Sequence, residues 1–289
     1  MPLTLFSTLG KAYRFLWAER RDLFAYAFLP VVLIAFVQFA GLWATGDWLL
    51  YFERPAPGAP DAAETGTQVV IGLGNLAPVD VAATAANGIA SFAGYVMFAV
   101  AWIRRYLVGP EGTTIGAALR WGPRHWHFVG RFFTIVGLVL LLALVLTVPV
   151  DLVSATNPLL GLFARAAVVV GSLLITARML LVLPAAAMDR RLGFRNAGIA
   201  TRGRSWYMLG IYIFSLFPAL FALLIVARLV GGLADALAGP SLAFLLVTLV
   251  IQQAIMFVAI AAQVTGLAEA FRELAGTAPP AAPAANPSV

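Results

Sequence analysis

Arg178 is the side chain best placed to do chemistry. It lies near the middle of an apolar stretch, 162–188, that holds no acid. A charge at such a position costs about 2.5–3.5 kcal/mol even on the lenient insertion scale, so its guanidinium must face something polar. A guanidinium there can hold a phosphate or carboxylate with two parallel hydrogen bonds, which gives one reading: a site for an anionic or amphiphilic solute. The other reading is a structural hydrogen bond between helices. Gln38, Gln252 and Gln253 are the expected partners at comparable depth, together with carbonyls freed near Pro184, whose nitrogen has no hydrogen to donate. Proton coupling needs a titratable group at depth, and no apolar stretch contains Asp, Glu, His or Lys.

His125 and His127 are the only histidines, in the string RHWHF. Two imidazoles two residues apart can share one edge of an extended segment, yet no carboxylate or thiol stands close in sequence to complete a metal site, so interfacial packing is the expectation. There is no cysteine, which excludes disulfides, zinc–thiolate sites, iron–sulfur clusters and thiol catalysis. Neither a nucleophile elbow, a phosphate loop nor an HExxH string occurs. The expectation is a non-enzymatic protein with no catalytic residue, metal or cofactor.

These residues must be positioned by a membrane. Of 289 residues 62% are hydrophobic and 11% charged, with a mean hydropathy of +0.92, against roughly 25% charged in soluble domains. A span needs about 20 mostly apolar residues, and six such runs occur, at 23–45, 82–103, 132–150, 162–188, 207–230 and 241–268. The fold class expected is all-α: a polytopic bundle of six transmembrane helices forming one domain over 1–274, followed by a disordered Pro/Ala-rich tail at 275–289. The Pro/Gly-rich outer loop, 46–81, is too short for a domain of its own. Pro30, Pro149, Pro184 and Pro218 are expected to kink four spans.

Charge sets the orientation. The N-terminal arm, the loops at 104–131 and 189–206 and the tail carry fifteen basic against six acidic residues, and the opposite side three against seven. By the positive-inside rule both termini are cytoplasmic. The net charge of +6 is thereby explained by topology and anionic headgroups rather than by nucleic acid.

Residues 3–21 place Leu5, Phe6, Leu9, Tyr13, Leu16 and Trp17 within an arc of roughly 120°, opposite Ser7, Lys11, Arg14 and Arg21. This predicts an amphipathic helix in the cytoplasmic headgroup plane. The string G-x-A-x-R recurs at Gly10, Gly116 and Gly198, and Trp17, Trp126 and Trp206 follow. The chain so reads as three similar units of interfacial helix plus hairpin, or as chance recurrence of residues common before inward-facing spans. Lys11, Arg14, Arg120, Arg124, Arg202 and Arg204 are the candidate contacts to anionic headgroups. Small residues at four-residue steps, Ala82, Ala86, Ala90 and Gly94, then Ala262, Gly266 and Ala270, let helices approach closely, within the molecule or across a homodimer. A membrane-protein partner is the other expected kind of contact.

The stretch from Arg178 to Trp206, with Pro184, Asp189, Gly193, Ala197 and the Ser205-Trp206 pair, resembles the signature region of the YciC-like bacterial inner-membrane proteins. It is also similar to the membrane region joined to some glycerophosphoryl diester phosphodiesterases. The resemblance is specific over about thirty residues and implies a six-helix protein of the bacterial inner membrane. It implies no activity, and the phosphodiesterase catalytic domain is absent from this sequence.

Overall fold

The computed structural model describes residues 4–48, 77–110, 114–190, 192–236 and 241–275. Most of the outer loop and the 276–289 part of the tail lie outside the described residues. Among the described residues the fold is all-helical: α1 (Leu5–Ala18), α2 (Arg20–Thr45), α3 (Pro78–Val108), α4 (Ile115–Ala118), α5 (Pro123–Thr156), α6 (Pro158–Met179), α7 (Val182–Ala187), α8 (Phe194–Ala200), α9 (Ser205–Phe214), α10 (Phe217–Ala236) and α11 (Leu242–Ala275). Six segments are long and apolar enough to cross a membrane: α2, α3, α5, α6 with α7, α9 with α10, and α11. Helices are the outcome lipid permits, because each backbone N–H and C=O must find its partner within the segment.

Local chemistry sets the ends. Thr4 Oγ1 accepts from Ser7 N at 3.4 Å to start α1, and Thr114 Oγ1 accepts from Ala117 N at 3.2 Å to start α4. Asn157 Oδ1 takes the N–H groups of Leu159 and Leu160 at 3.0 and 3.2 Å, with Pro158 next at the first helical position, where its missing donor costs nothing. Gly46 and Gly109, with φ of 82° and 92°, follow α2 and α3 in the left-handed conformation that glycine adopts without strain.

The four prolines divide into two pairs. Pro30 and Pro149 sit inside continuous helices. Before Pro184 and Pro218 the helix breaks, at Leu180–Leu181 and Ser215–Leu216, one turn upstream, where each ring removes a donor and crowds the carbonyl. The Leu180 carbonyl takes Leu183 N at 3.0 Å, and the Ser215 carbonyl takes the Tyr13 hydroxyl at 2.9 Å.

Packing gathers the chain into two compact units: Met1–Leu23, Val96–Phe217 and Ile260–Val289 form the first, Phe24–Tyr95 and Pro218–Ala259 the second. Here α2, α3 and α11 each contribute to both units. In the first, α5 packs on α6, α6 on α9, α5 on α7, α1 on α9 and α6 on α8. Trp102 Nε1 donates to Thr265 Oγ1 at 2.9 Å, joining α3 to α11. The small-residue face of α11 is used here: Ala262 and Ala270 are buried, and a Cβ on Gly266 would lie 2.8 Å from Ile211 Cγ2 of α9. In the second unit Ala35, Leu245 and Leu249 form a core with Phe39, Leu42 and Val250 against it. There α3 meets α2 through Gly94, where a Cβ would lie 2.8 Å from Ile34 Cδ1, and through Ala83, 3.4 Å from a Cβ on Gly41. Ala82 and Ala86 are exposed. Within the second unit Gly94 of the expected ridge makes its close approach, while Ala83 takes the place of Ala82 against α2, since only one of two adjacent residues can face the neighbouring helix.

The apolar arc of α1 is shared between protein and exterior. Thr8, Leu9, Ala12 and Leu16 are buried, whereas Phe6 and Trp17 are exposed. The three G-x-A-x-R strings fall on α1, α4 and α8, the short helices that precede the first, third and fifth spans. Ala12 and Ala118 are buried in the first two, but in the third the buried alanine is Ala197, one turn earlier, so the packing register is not repeated.

Gly266→Leu is expected to destabilise the protein by about 1–3 kcal/mol through overpacking, read as a lower thermal midpoint in detergent. Gly10→Ala, where a Cβ meets nothing within 4 Å, should raise stability by up to about 1 kcal/mol through helix propensity.

Candidate functional site

Of the four side chains expected at one polar site, Arg178 belongs to the first unit and Gln38, Gln252 and Gln253 to the second. Arg178 is half-buried on the last turn of α6. Its Nη2 donates to the Gly198 carbonyl at 2.7 Å and its Nε faces Thr201 Oγ1 at 3.5 Å. The buried Thr201 hydroxyl donates to Ala197 O at 2.9 Å, which leaves its lone pair for the guanidinium. Arg178 thus ties α6 to the end of α8, where helix carbonyls lack intrahelical partners and carry partial negative charge. The glutamines do otherwise. Gln253 Nε2 donates to Gln38 Oε1 at 3.1 Å, and the Tyr95 hydroxyl donates to Gln253 Oε1 at 3.0 Å, linking α2, α3 and α11 within the second unit. Gln252 is half-buried beside Gln253. The chain reversal after α7 brings α8 back against α6 and presents the Gly198 carbonyl to Arg178.

The six basic headgroup candidates fall into two groups. Arg14, Arg120, Arg202 and Arg204 are exposed; Arg14 Nε bonds only back to Gly10 O of its own helix, at 3.3 Å. Lys11 and Arg124 are held in ion pairs. Lys11 Nζ lies 2.8 Å from Glu269 Oε1 and 2.9 Å from Glu273 Oε1. Hydrogen bonds to these two carboxylates, Glu269 first, raise the Lys11 ammonium above its ordinary 10.5.

Glu269 is the acid that hydropathy overlooks. It is 0% exposed and receives Lys11, the Tyr106 hydroxyl at 2.8 Å and Arg272 Nη2 at 2.5 Å. The Arg272 guanidinium also lies 5.5 Å from the centre of the Tyr106 ring. A buried carboxylate is stable only with such partners. A second tie holds the α1–α2 junction to α3: Arg105 Nη2, itself buried, meets Glu19 at 2.6 Å and Asp22 at 2.7 Å. With the 2.7 Å bond between Thr8 Oγ1 and the Tyr207 hydroxyl, these contacts dock α1 within the first unit. The available sequence signal was an acid at 269 just after an acid-free span with another at 273, one helical turn on.

Asp189 organises the turn between α7 and α8. It sits at φ 56°, left-handed geometry that short polar side chains tolerate. Asp189 N donates to Ala186 O at 3.2 Å and Arg190 N to Ala185 O at 2.9 Å, the paired bonds of a Schellman helix end. Glycine is the usual residue there; Asp189 instead supplies a carboxylate, 2.5 Å from Arg124 Nε and 3.9 Å from Arg104 Nη1. Arg104 Nη1 also donates to Ala187 O at 3.2 Å. His125 is a capping residue: its Nδ1 accepts from Gly122 N at 3.0 Å, and its ring stacks on Trp121 at 5.2 Å. His127 is exposed.

Glu269→Gln is expected to loosen α1, seen as about tenfold faster hydrogen exchange of the 5–18 amides, because Lys11 and Arg272 lose a charge-assisted acceptor. The Lys11 contribution has a defined pH sign. A raised value in the folded protein means that its stabilisation is complete below 10.5 and disappears as pH rises through the folded-state value. Lys11→Met should therefore flatten the alkaline limb of a stability–pH curve measured in detergent.

The chain matches no protein-family model, no curated protein and no solved structure, so the functional reading rests on this geometry.

Proposed function

We propose that this multi-pass membrane protein acts without catalysis, as an inner-membrane component of the YciC-like kind, whose cytoplasmic face engages anionic lipid. One observation carries the reading. Trp17, Trp126 and Trp206, each following one of the recurring strings, are 74%, 64% and 68% exposed. Indoles left bare in this way are suited to the level of lipid headgroups. Exposed cations lie near each in sequence: Arg14 and Arg20 with the first, Arg120 with the second, Arg202 and Arg204 with the third. Arg20 covers Trp17, its guanidinium 5.3 Å from the ring centre. Phe6, Ile115 and Ile199 add exposed apolar surface on α1, α4 and α8. Interfacial segments that show cations beside apolar and indole side chains bind membranes by burial and by attraction to anionic lipid together. The positive-inside balance supports cytoplasmic termini on this reading. Transport at Arg178 gains nothing from the contacts seen, since that guanidinium is bonded to Gly198 and Thr201.

The test is tryptophan quenching in nanodiscs that contain brominated lipid. Brominated phosphatidylglycerol should quench about twofold more than brominated phosphatidylcholine at equal mole fraction, because each cation near the surface attracts anionic lipid by about 1 kcal/mol. Replacing Arg14, Arg120, Arg202 and Arg204 by Gln should erase the difference. Equal quenching by both lipids in the parent protein would remove the reading.

A further inference from the structure

A cleft of about 850 Å³ opens within the first unit, inside the range of roughly 300–1,000 Å³ typical of ligand sites. The start of α5 lines it with Trp126, His127 and Arg131, and the turn between α7 and α8 with Asp189 and Arg190. The Schellman bonds that end α7 fix the backbone of Asp189 and Arg190, so one side of the cleft is held by main chain. Its single carboxylate is already engaged, by Arg124 at 2.5 Å and Arg104 at 3.9 Å. Among the described residues neither Arg131 nor Arg190 has a carboxylate within 4.0 Å. The Arg131 guanidinium lies 5.3 Å from the centre of the Phe194 ring, a cation–π contact that consumes no hydrogen-bond acceptor.

Two guanidiniums with no carboxylate partner among the described residues, an imidazole and an exposed indole around one cleft suit a tetrahedral anion, since Arg pairs with phosphate through parallel charge-assisted hydrogen bonds. We propose that this cleft binds a phosphate group, either free or borne on a lipid headgroup, with Arg131 and Arg190 as its principal donors. The proposal rests on the anionic-lipid reading above and adds a discrete site to it.

The experiment is native mass spectrometry of the full-length protein with phosphatidic acid, with and without inorganic phosphate as competitor. Two variants address the cleft by different routes. R131Q/R190Q removes the donors. Gly130→Leu keeps both and fills the space, because Gly130 lines the cleft and a Cβ there meets nothing within 4 Å. R202Q/R204Q is the surface control. Phosphatidic acid retention should fall about tenfold in each cleft variant and by no more than about threefold in the control. Displacement by inorganic phosphate then assigns the site to phosphate itself, and failure to displace assigns it to the headgroup on its lipid.

Cleft variants that hold phosphatidic acid as the parent does would overturn the discrete site while leaving the surface reading in place. Equal losses in cleft variants and control would overturn it too, by showing diffuse attraction. A parent that retains no phosphatidic acid and no phosphate would overturn both readings. Should R131Q/R190Q fail to fold, Gly130→Leu alone decides, because its cations are intact.

Discussion

A backbone carbonyl in an apolar surrounding must be given a hydrogen, and much of this structure follows from that constraint. Six apolar helices meet it internally. Proline withdraws a donor at four places inside them, and among the described residues the helix breaks before two of these. At the first, before Pro184, the chain turns through α7 and reverses at Asp189, so that α8 returns to α6. At the second, before Pro218, the carbonyl of Ser215 is taken by Tyr13 from α1. The first break is satisfied locally, the Leu180 carbonyl taking Leu183 N at 3.0 Å, whereas at the second the donor is one that only tertiary packing can deliver.

Charges complete what the carbonyls begin. Glu269, Asp189 and Glu19 with Asp22 each receive cations from a helix distant in sequence. Together they fasten α1, the α1–α2 junction and the α7–α8 turn within one unit. The same arithmetic sorts the basic residues by role. Lys11, Arg104, Arg105 and Arg124 are committed to acids and hold the fold. Arg14, Arg120, Arg202 and Arg204 stay exposed near the three bare tryptophans, and Arg131 and Arg190 face a cleft whose only acid is spoken for. Cations left over after the structural ties are the ones with free energy to offer an external anion.

Much of the fold was legible in sequence because its signals are local. A run of about 20 apolar residues gives a span wherever it occurs, and each of the six runs lies within a membrane-capable helical segment to within one residue. Trp17, Trp126 and Trp206 are visible in the sequence as residues following a recurring string; their exposure of 74%, 64% and 68% is a fact of the packing. Arg178 was rightly read as needing a polar partner, but Gly198 and Thr201 were not named as that partner. Nothing local distinguishes a carbonyl of α8 from a glutamine on another span.

What the sequence determined by itself is the all-helical class and the number of membrane-capable segments, since each is set by runs of neighbouring side chains; of its four span prolines, only Pro184 and Pro218 follow a break. Tertiary structure decided the rest. Whether Ala82 or Ala83 faces the next helix depends on how α3 is rotated about its axis, and helices apolar on every side carry little pattern to fix that rotation. The pairing of Lys11 with Glu269 joins groups 258 residues apart. Such a contact exists only once packing has placed α1 against the end of α11, and burial then makes the ion pair obligatory, because an unpaired carboxylate there would have no water to solvate it.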